Sequence, residues 1–180
     1  MIINYHNILL NSPDFGDFTA LYEQAFPADE RREMADLARI TEQCSDFHIV
    51  GAFGNNTFLG FFTYWRWDDH RVAYGEHFAI KPEVRCGGIG RRVLEHVLAM
   101  AELPMVIEVE TEADQLTRRR VAFYEREGFK AWRNVAYVQP PYSPSRNSLP
   151  MMLMSHGHMT EDTLKFAARL IHQRVYGVDR

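Results

Sequence analysis

The sequence lacks the features that mark secreted, membrane-spanning and nucleic-acid-binding proteins. Its 180 residues include two cysteines, Cys44 and Cys86, which are too few for a disulfide framework and favour a reducing compartment. No apolar run approaches the roughly 18 residues of a membrane span, and the N-terminal residues show no signal-peptide pattern. The formal net charge of −4 argues against nucleic acid as the main partner. We therefore expect a cytoplasmic protein with neither a membrane nor a nucleic acid as its partner.

The chain has enough apolar sequence for one folded domain. Hydrophobic residues make up 46% of the 180 residues, which is sufficient for a core in a domain of this length. The sequence contains no internal repeat and no low-complexity linker that would separate two domains. We therefore predict a single domain over residues 1–180.

The most informative segment is the glycine-rich turn at residues 85–91. It follows an apolar, strand-like run at residues 78–80 and opens a helix whose apolar residues recur every fourth position. Glycines let the main chain approach an anion, and the unpaired N–H groups of a helix's first turn point towards it. The segment therefore predicts a phosphate-binding turn, although a strand–helix junction without a ligand would also use such glycines.

Two motifs resemble the GNAT family of N-acetyltransferases. Arg85-x-x-Gly88-x-Gly90 is similar to the family's Arg/Gln-x-x-Gly-x-Gly/Ala pattern, and it matches neither the nucleotide P-loop nor the dinucleotide fingerprint. The segment Phe-Tyr-Glu-Arg-Glu-Gly-Phe at residues 123–129 resembles the family's Phe-Tyr-Glu-x-x-Gly-Phe segment. The two motifs follow each other in the family's order and at its spacing. The resemblance covers a core of residues 47–138.

The resemblance implies an α+β fold with a mixed, mostly antiparallel twisted sheet flanked by helices. The implied element order is βααβββαβαββ, followed by a C-terminal helix at about residues 160–177. Periodicity and turn residues along the chain agree with this order. They predict a helix that Pro27 ends, a helix at 32–42, and strands at 47–53, 57–67, 72–80, 105–110, 131–138 and 149–154.

The same resemblance implies acetyl-CoA as the acyl-donor substrate, with no metal. In the family, the pantetheine arm lies between two splayed strands and bonds to the main chain of the first strand. Thr117 stands where the family often has an asparagine that touches the pantetheine. The expected pantetheine contacts are therefore Phe78, Ala79, Ile80 and Thr117. The expected pyrophosphate contacts are Arg85, Cys86, Gly87, Gly88, Ile89, Gly90 and Arg91.

Tyr124 is the best catalytic candidate that the resemblance gives. It falls on the family's tyrosine that lies near the thioester sulfur and donates a proton to the departing coenzyme A. A phenol with a reference pKa of about 10 keeps its proton at neutral pH and can give it to a thiolate. The alternative is an aromatic residue that packs in its helix with its hydroxyl at the surface.

Two carboxylates compete as the general base. Glu76 lies in the strand before the glycine turn, and Glu108 lies at the position of a family base that acts through water. Alternation along the strand places Glu76 on the side of Tyr74 and Phe78 and opposite His77 and Ala79. His77 is a third candidate, and deprotonation by solvent without a protein base also stays open.

The resemblance implies direct transfer of an acetyl group to a primary amine of a small molecule, an amino acid or a peptide. The alternatives are a non-catalytic module that binds or senses acyl-CoA, and an acyltransferase for a longer acyl chain or a hydroxyl acceptor. In the family, the acceptor site comes from segments that correspond here to residues 26–32, 61–67 and 139–145. Arg31 or Arg32 could bind a substrate carboxylate or lie at an exposed helix start. Assembly as a homodimer is left open.

Overall fold

A computed structural model describes residues 1–85 and 87–178. Cys86, one of the predicted pyrophosphate contacts, lies outside the described residues. The helices are α1 (Phe15–Ala25), α2 (Met34–Gln43), α3 (Ile89–Ala101), α4 (Gln115–Arg126) and α5 (Glu161–Tyr176). The strands are β1 (Ile3–Asn7), β2 (Phe47–Gly54), β3 (Thr57–Trp67), β4 (Val72–Ile80), β5 (Met105–Glu110), β6 (Lys130–Ala131), β7 (Tyr137–Gln139) and β8 (Leu149–His156). No helix within the described ranges is both long and apolar enough to cross a membrane.

The strands form one mixed sheet in the order β1-β2-β3-β4-β5-β8-β6, and β7 also pairs with β8. β4 and β5 run parallel, and the other pairs are antiparallel. Buried residues of α1, α2 and α5 pack on one face of the sheet, and those of α3 and α4 pack on the other. The predicted α+β fold with a mostly antiparallel sheet flanked by helices is confirmed.

The parallel pair β4–β5 separates after three residues. Main-chain pairing joins residues 73–75 to residues 105–107 and ends there. On the sides where β4 and β5 face each other, the second half of each strand is therefore not paired with the other strand. Helix α3 connects the two strands, and its buried stripe packs on the sheet. This arrangement opens a gap between β4 and β5 and places the start of α3 at the end of that gap.

A β-bulge in β4 changes the predicted orientation of its side chains. The register with β3 shifts so that Thr63 lies opposite His77 and Tyr64 lies opposite Gly75, which leaves Glu76 as the extra residue. Glu76 and His77 therefore both face the α1–α2–α5 side, whereas Phe78 faces the α3–α4 side. The prediction that Glu76 shares a side with Phe78 and opposes His77 was wrong, because strict alternation does not hold across a bulge.

Two of the other differences from the predicted boundaries have a local cause in the main chain. The predicted strand at 131–138 is split into β6 and β7, because the main-chain N–H of Val135 bonds back to the carbonyl of Trp132 and forms a turn. The second helix begins at Met34 and not at Arg32, since Arg31 and Glu33 both have an extended main-chain conformation. The side chain of Arg32 is thereby free to enter the core.

Candidate active site

A cleft of about 570 Å³ lies between the separated halves of β4 and β5. It is bordered by the start of α3, one face of α4, the turn after α1 and the segment before β8. The structure thus brings most of the predicted site residues together in one cavity. Those that line it are Glu76, His77, Phe78, Ala79, Ile80, Arg85, Gly90, Glu108 and Tyr124.

The glycine turn at the start of α3 has the conformation expected of an anion-binding turn. Gly87 and Gly88 have φ angles of 84° and 72°, a region that favours glycine, and a Cβ on either would meet no described heavy atom within 4 Å. No described side chain caps α3, which is also true of α1 and α2, but unlike theirs its first turn has no acidic residue. The first N–H groups of α3 are therefore free to bind an anion.

The open edge of β4 presents main-chain groups to the cleft. The main-chain N–H of His77 donates to Thr63 Oγ1 on β3 at 3.0 Å. Because successive residues of a strand turn their main-chain groups to opposite edges, those of Phe78 face β5 and the cleft. The carbonyl of Ile80 accepts from Arg85 Nε at 3.1 Å, which fixes the arginine against the strand end.

Tyr124 lies on α4 and is 8% exposed. Its ring packs edge-on against Phe123 and Phe129, and its hydroxyl makes no hydrogen bond to another described residue. Burial raises the pKa of Tyr124 to about 12, against a smaller opposing effect of Arg120. The hydroxyl is therefore protonated at neutral pH and available to a group in the cleft.

Glu108 lies on β5 within a group of tyrosine hydroxyls. Oε2 accepts hydrogen bonds from Tyr74 at 2.7 Å and Tyr176 at 2.6 Å, and Oε1 accepts one from Tyr137. Burial raises the pKa of Glu108, and the hydrogen bonds from the three phenols lower it by less. The pKa therefore lies at about 7. A carboxylate has roughly four acceptor positions, and described hydrogen bonds occupy three of them, which leaves one on Oε1.

Glu76 is engaged in an ion pair. Its side chain is fully buried, and it accepts from Arg32 Nε at 3.0 Å, Trp65 Nε1 at 2.7 Å and Tyr142 Oη at 2.9 Å. Burial alone would raise the pKa of this carboxyl. The charge of Arg32 and the accepted hydrogen bonds outweigh burial, so the pKa lies below its usual value. Glu76 is therefore a weaker proton acceptor than Glu108.

All three guanidinium nitrogens of Arg32 donate hydrogen bonds within the protein. Nε bonds to Glu76, one terminal nitrogen bonds to Asp36 at 2.8 Å and the other bonds to the carbonyl of Val175 at 3.2 Å. The guanidinium is buried between the rings of Trp65 and Tyr142. The structure thus places Arg32 in the core beneath the cleft, where its charge is paired with the carboxylates of Glu76 and Asp36.

Replacing Arg32 with methionine is expected to lower the free energy of unfolding by about 3–5 kcal/mol, because the Glu76 carboxylate would stay buried without its cation. Urea denaturation at pH 7 measures this loss. In the double variant Arg32→Met/Glu76→Gln no charge is left unpaired, so part of the loss should be recovered. A loss of less than about 1 kcal/mol in the single variant, the range of an exposed pair, would contradict the assignment.

Several predicted contacts lie beside the cleft and do not line it. Gly87, Gly88 and Ile89 form the turn at its end, and the side chain of Arg91 bonds to Glu95 at 2.8 Å. The hydroxyl and main-chain N–H of Thr117 form a capping box with Asp114. The structure gives Thr117 a role at the start of α4, and its predicted pantetheine contact stays a prediction.

Sequence analysis missed the partners of the two carboxylates. No pattern in the sequence links these partners to a glutamate that lies far away in the chain. Only the folded sheet and the C-terminal helix bring these side chains to the cleft. The missed residues are Arg32 as an ion-pair partner and Tyr74, Tyr137, Tyr142 and Tyr176 as hydrogen-bond donors.

Comparisons with known proteins agree on one family. The sequence model of the Acetyltransferase (GNAT) family matches residues 15–129. A GNAT-family structure from Bacteroides thetaiotaomicron is 36% identical, covers 97% of this chain and 99% of its own, and superposes with a TM-score of 0.90. No curated protein matches the chain.

More distant structures share the fold. A GNAT acetyltransferase from Elizabethkingia anophelis, solved with acetyl-CoA bound, is 18% identical with a TM-score of 0.60, over 87% of this chain and 98% of its own. The PaiA N-acetyltransferase from Thermoplasma acidophilum, solved with coenzyme A, is 16% identical with a TM-score of 0.60, over 88% and 100%. The family match over residues 15–129 and the 36% identical structure show that the chain belongs to the GNAT family of acetyltransferases.

Proposed function

We propose that this protein is an acetyl-CoA-dependent N-acetyltransferase that moves an acetyl group directly to a primary amine. One observation carries the proposal. The cleft that begins at the uncapped start of α3 contains both a protonated phenol, Tyr124, and a carboxylate with a pKa near neutrality, Glu108. A module that only binds acyl-CoA would need the glycine turn but neither of these two groups.

The residues at the start of α3 fit the donor substrate. The main-chain N–H groups of residues 87–91 would hold the pyrophosphate, and the open edge of β4 at Phe78 would bond to the pantetheine. The two distant relatives solved with acetyl-CoA and with coenzyme A support this choice of donor. The acceptor is proposed to be an amine of a small molecule, an amino acid or a peptide.

The two cleft residues account for the two proton transfers. The amine nitrogen forms a bond to the acetyl carbonyl carbon, the carbon–sulfur bond breaks, and the proton that leaves nitrogen passes to Glu108, directly or through water. The departing thiolate takes the proton of Tyr124. Glu108 suits the first role better than Glu76, because an efficient general base has a pKa near the working pH and an open acceptor position.

Replacing Tyr124 with phenylalanine is expected to lower kcat by tenfold or more, since the thiolate would leave without its proton donor. Thiol release from acetyl-CoA against a panel of primary amines measures this effect. The affinity for acetyl-CoA should stay close to that of the wild-type protein, because the ring and its packing are retained. Tyr64→Phe is the matched control, since Tyr64 is a buried tyrosine that stacks on His48 and does not line the cleft.

Three outcomes would contradict the proposed function. Tight acetyl-CoA binding by the wild-type protein without turnover of any amine would favour a sensing module. Equal kcat values for Tyr124→Phe and the wild-type protein would show that Tyr124 is not the proton donor. Faster turnover with propionyl-CoA or succinyl-CoA than with acetyl-CoA would indicate a longer acyl donor.

A further inference from the structure

The C-terminal end of α5 reaches the candidate base. Tyr176 is the last residue of this helix, and its hydroxyl donates to Glu108 Oε2 at 2.6 Å. It lies 3.3 Å from the Tyr74 hydroxyl and 3.4 Å from that of Tyr142. Tyr176 is outside residues 15–129, the part of the chain that the family model matches.

The position of Tyr176 is fixed by the protein around it. The neighbouring carbonyl of Val175 accepts from the buried guanidinium of Arg32 at 3.2 Å. Gly177 follows with a φ of 68° and ends the helix. The ring of Tyr176 packs on that of Tyr142, with the ring centroids 4.9 Å apart. The Tyr176 hydroxyl is therefore held in place by contacts other than its bond to Glu108.

The groups that face Glu108 come from four parts of the fold. Tyr74 and Glu76 lie on β4, Tyr137 lies on β7, Tyr142 lies in the segment between β7 and β8, and Tyr176 ends α5. Tyr74, Tyr137 and Tyr176 donate to the Glu108 carboxylate, and Tyr142 donates to Glu76. The charge of Glu76 repels that of Glu108. No described cation bonds to Glu108. Phenol donors therefore supply the direct stabilisation of its ionised form.

Resting on the proposed function, in which Glu108 is the base, we propose that Tyr176 is a positioning residue for Glu108. Its hydroxyl and that of Tyr74 occupy Oε2 and orient the carboxylate, so that the open acceptor position on Oε1 is left for the cleft. The C-terminal helix thus supplies part of the acid–base machinery. Tyr176 acts through Glu108 and needs no contact with the acceptor or the donor.

The variant Tyr176→Phe tests this role, because it removes the hydroxyl and keeps the ring that packs on Tyr142. The midpoint of the Glu108 titration should move to higher pH by about one unit, since a hydrogen bond to a charged group is lost. A carboxyl ¹³C NMR titration measures this midpoint directly, with the Glu108 signal assigned by its absence in Glu108→Gln. Tyr64→Phe is the control and should leave the midpoint unchanged.

Kinetics give a second readout. In Tyr176→Phe, the acid limb of the pH profile of kcat should move to higher pH by the same amount as the Glu108 midpoint. At pH 7, kcat should fall severalfold while KM for acetyl-CoA is unchanged. In a Glu108→Gln background, Tyr176→Phe should cause no further loss of kcat, because the two residues act as one unit.

An unchanged Glu108 midpoint in Tyr176→Phe would overturn the proposal, as would an equal loss of kcat with and without Glu108. The NMR titration needs no acceptor, so it decides the role of Tyr176 even if no amine is turned over. Failure of the proposed function would show separately, as the absence of turnover by the wild-type protein.

Discussion

Gly90→Glu is expected to weaken acetyl-CoA binding by about 100-fold or more. Gly90 lies in the first turn of α3 and lines the cleft, so a carboxylate there would face the proposed pyrophosphate site. Two unit charges about 4 Å apart at a protein surface repel by roughly 4 kcal/mol, which corresponds to more than a 100-fold change in affinity. Isothermal titration calorimetry with acetyl-CoA measures this loss.

Gly90 is a better position for this test than Gly88. Gly88 has a φ of 72°, so any side chain there adds backbone strain, whereas Gly90 is not in that region. A Cβ at Gly90 would lie 3.6 Å from its nearest neighbour, Phe78, which is an ordinary contact. Gly90→Ala is therefore the matched control, and its affinity should stay within about fourfold of wild type.

Calorimetry also distinguishes charge from shape at this position. Gly90→Gln adds nearly the same volume as glutamate without its charge, so it should bind acetyl-CoA better than Gly90→Glu does. High salt should narrow the difference between the two variants, because it screens the repulsion. If Gly90→Glu bound acetyl-CoA with wild-type affinity, the start of α3 would not be part of the donor site.

Glu108→Gln is expected to lower kcat by about 100-fold at pH 8, because it removes the proposed general base. The amide keeps the shape of the side chain and cannot take up the proton of the amine. The rate of thiol release at saturating acetyl-CoA and acceptor measures kcat. Thermal unfolding of the variant should be followed in parallel, so that a loss of activity is not mistaken for a loss of fold.

The pH dependence of kcat gives a sharper test of the same residue. A general base works in its ionised form, so the wild-type kcat should rise as the pH rises through about 7, the pKa of Glu108. This limb should be absent in Glu108→Gln. Glu30→Gln is the matched control, because Glu30 is another carboxylate that lines the cleft. It should keep the limb near pH 7, and a limb that persists in Glu108→Gln would exclude Glu108 as the base.

The strands around the cleft could be predicted from the sequence to the residue. β3, β4 and β5 have the predicted bounds, because turn residues such as the Asn55-Asn56 pair and Pro104 stand at their ends. The glycine turn was predictable for the same reason, since its residues are contiguous. Local signals of this kind fix elements and motifs along the chain.

Contacts between distant segments could not be predicted in this way. The bulge that turns both Glu76 and His77 to one side arises from pairing with β3. Gly75 directly precedes it, but a glycine within a strand does not by itself determine which way the next two side chains turn. The ion pair of Glu76 joins residues 44 positions apart, and the Tyr176–Glu108 hydrogen bond joins residues 68 positions apart. The choice between Glu76 and Glu108 depends on these contacts, so the sequence alone left it open.

A crystal structure of the protein with acetyl-CoA tests the central claim most directly. The account predicts that the pyrophosphate accepts hydrogen bonds from the main-chain N–H groups of residues 87–91. It also predicts that the thioester sulfur lies within about 4 Å of the Tyr124 hydroxyl, on the side of the cleft that Glu108 faces. A cofactor bound elsewhere, or a thioester directed away from both Tyr124 and Glu108, would contradict it.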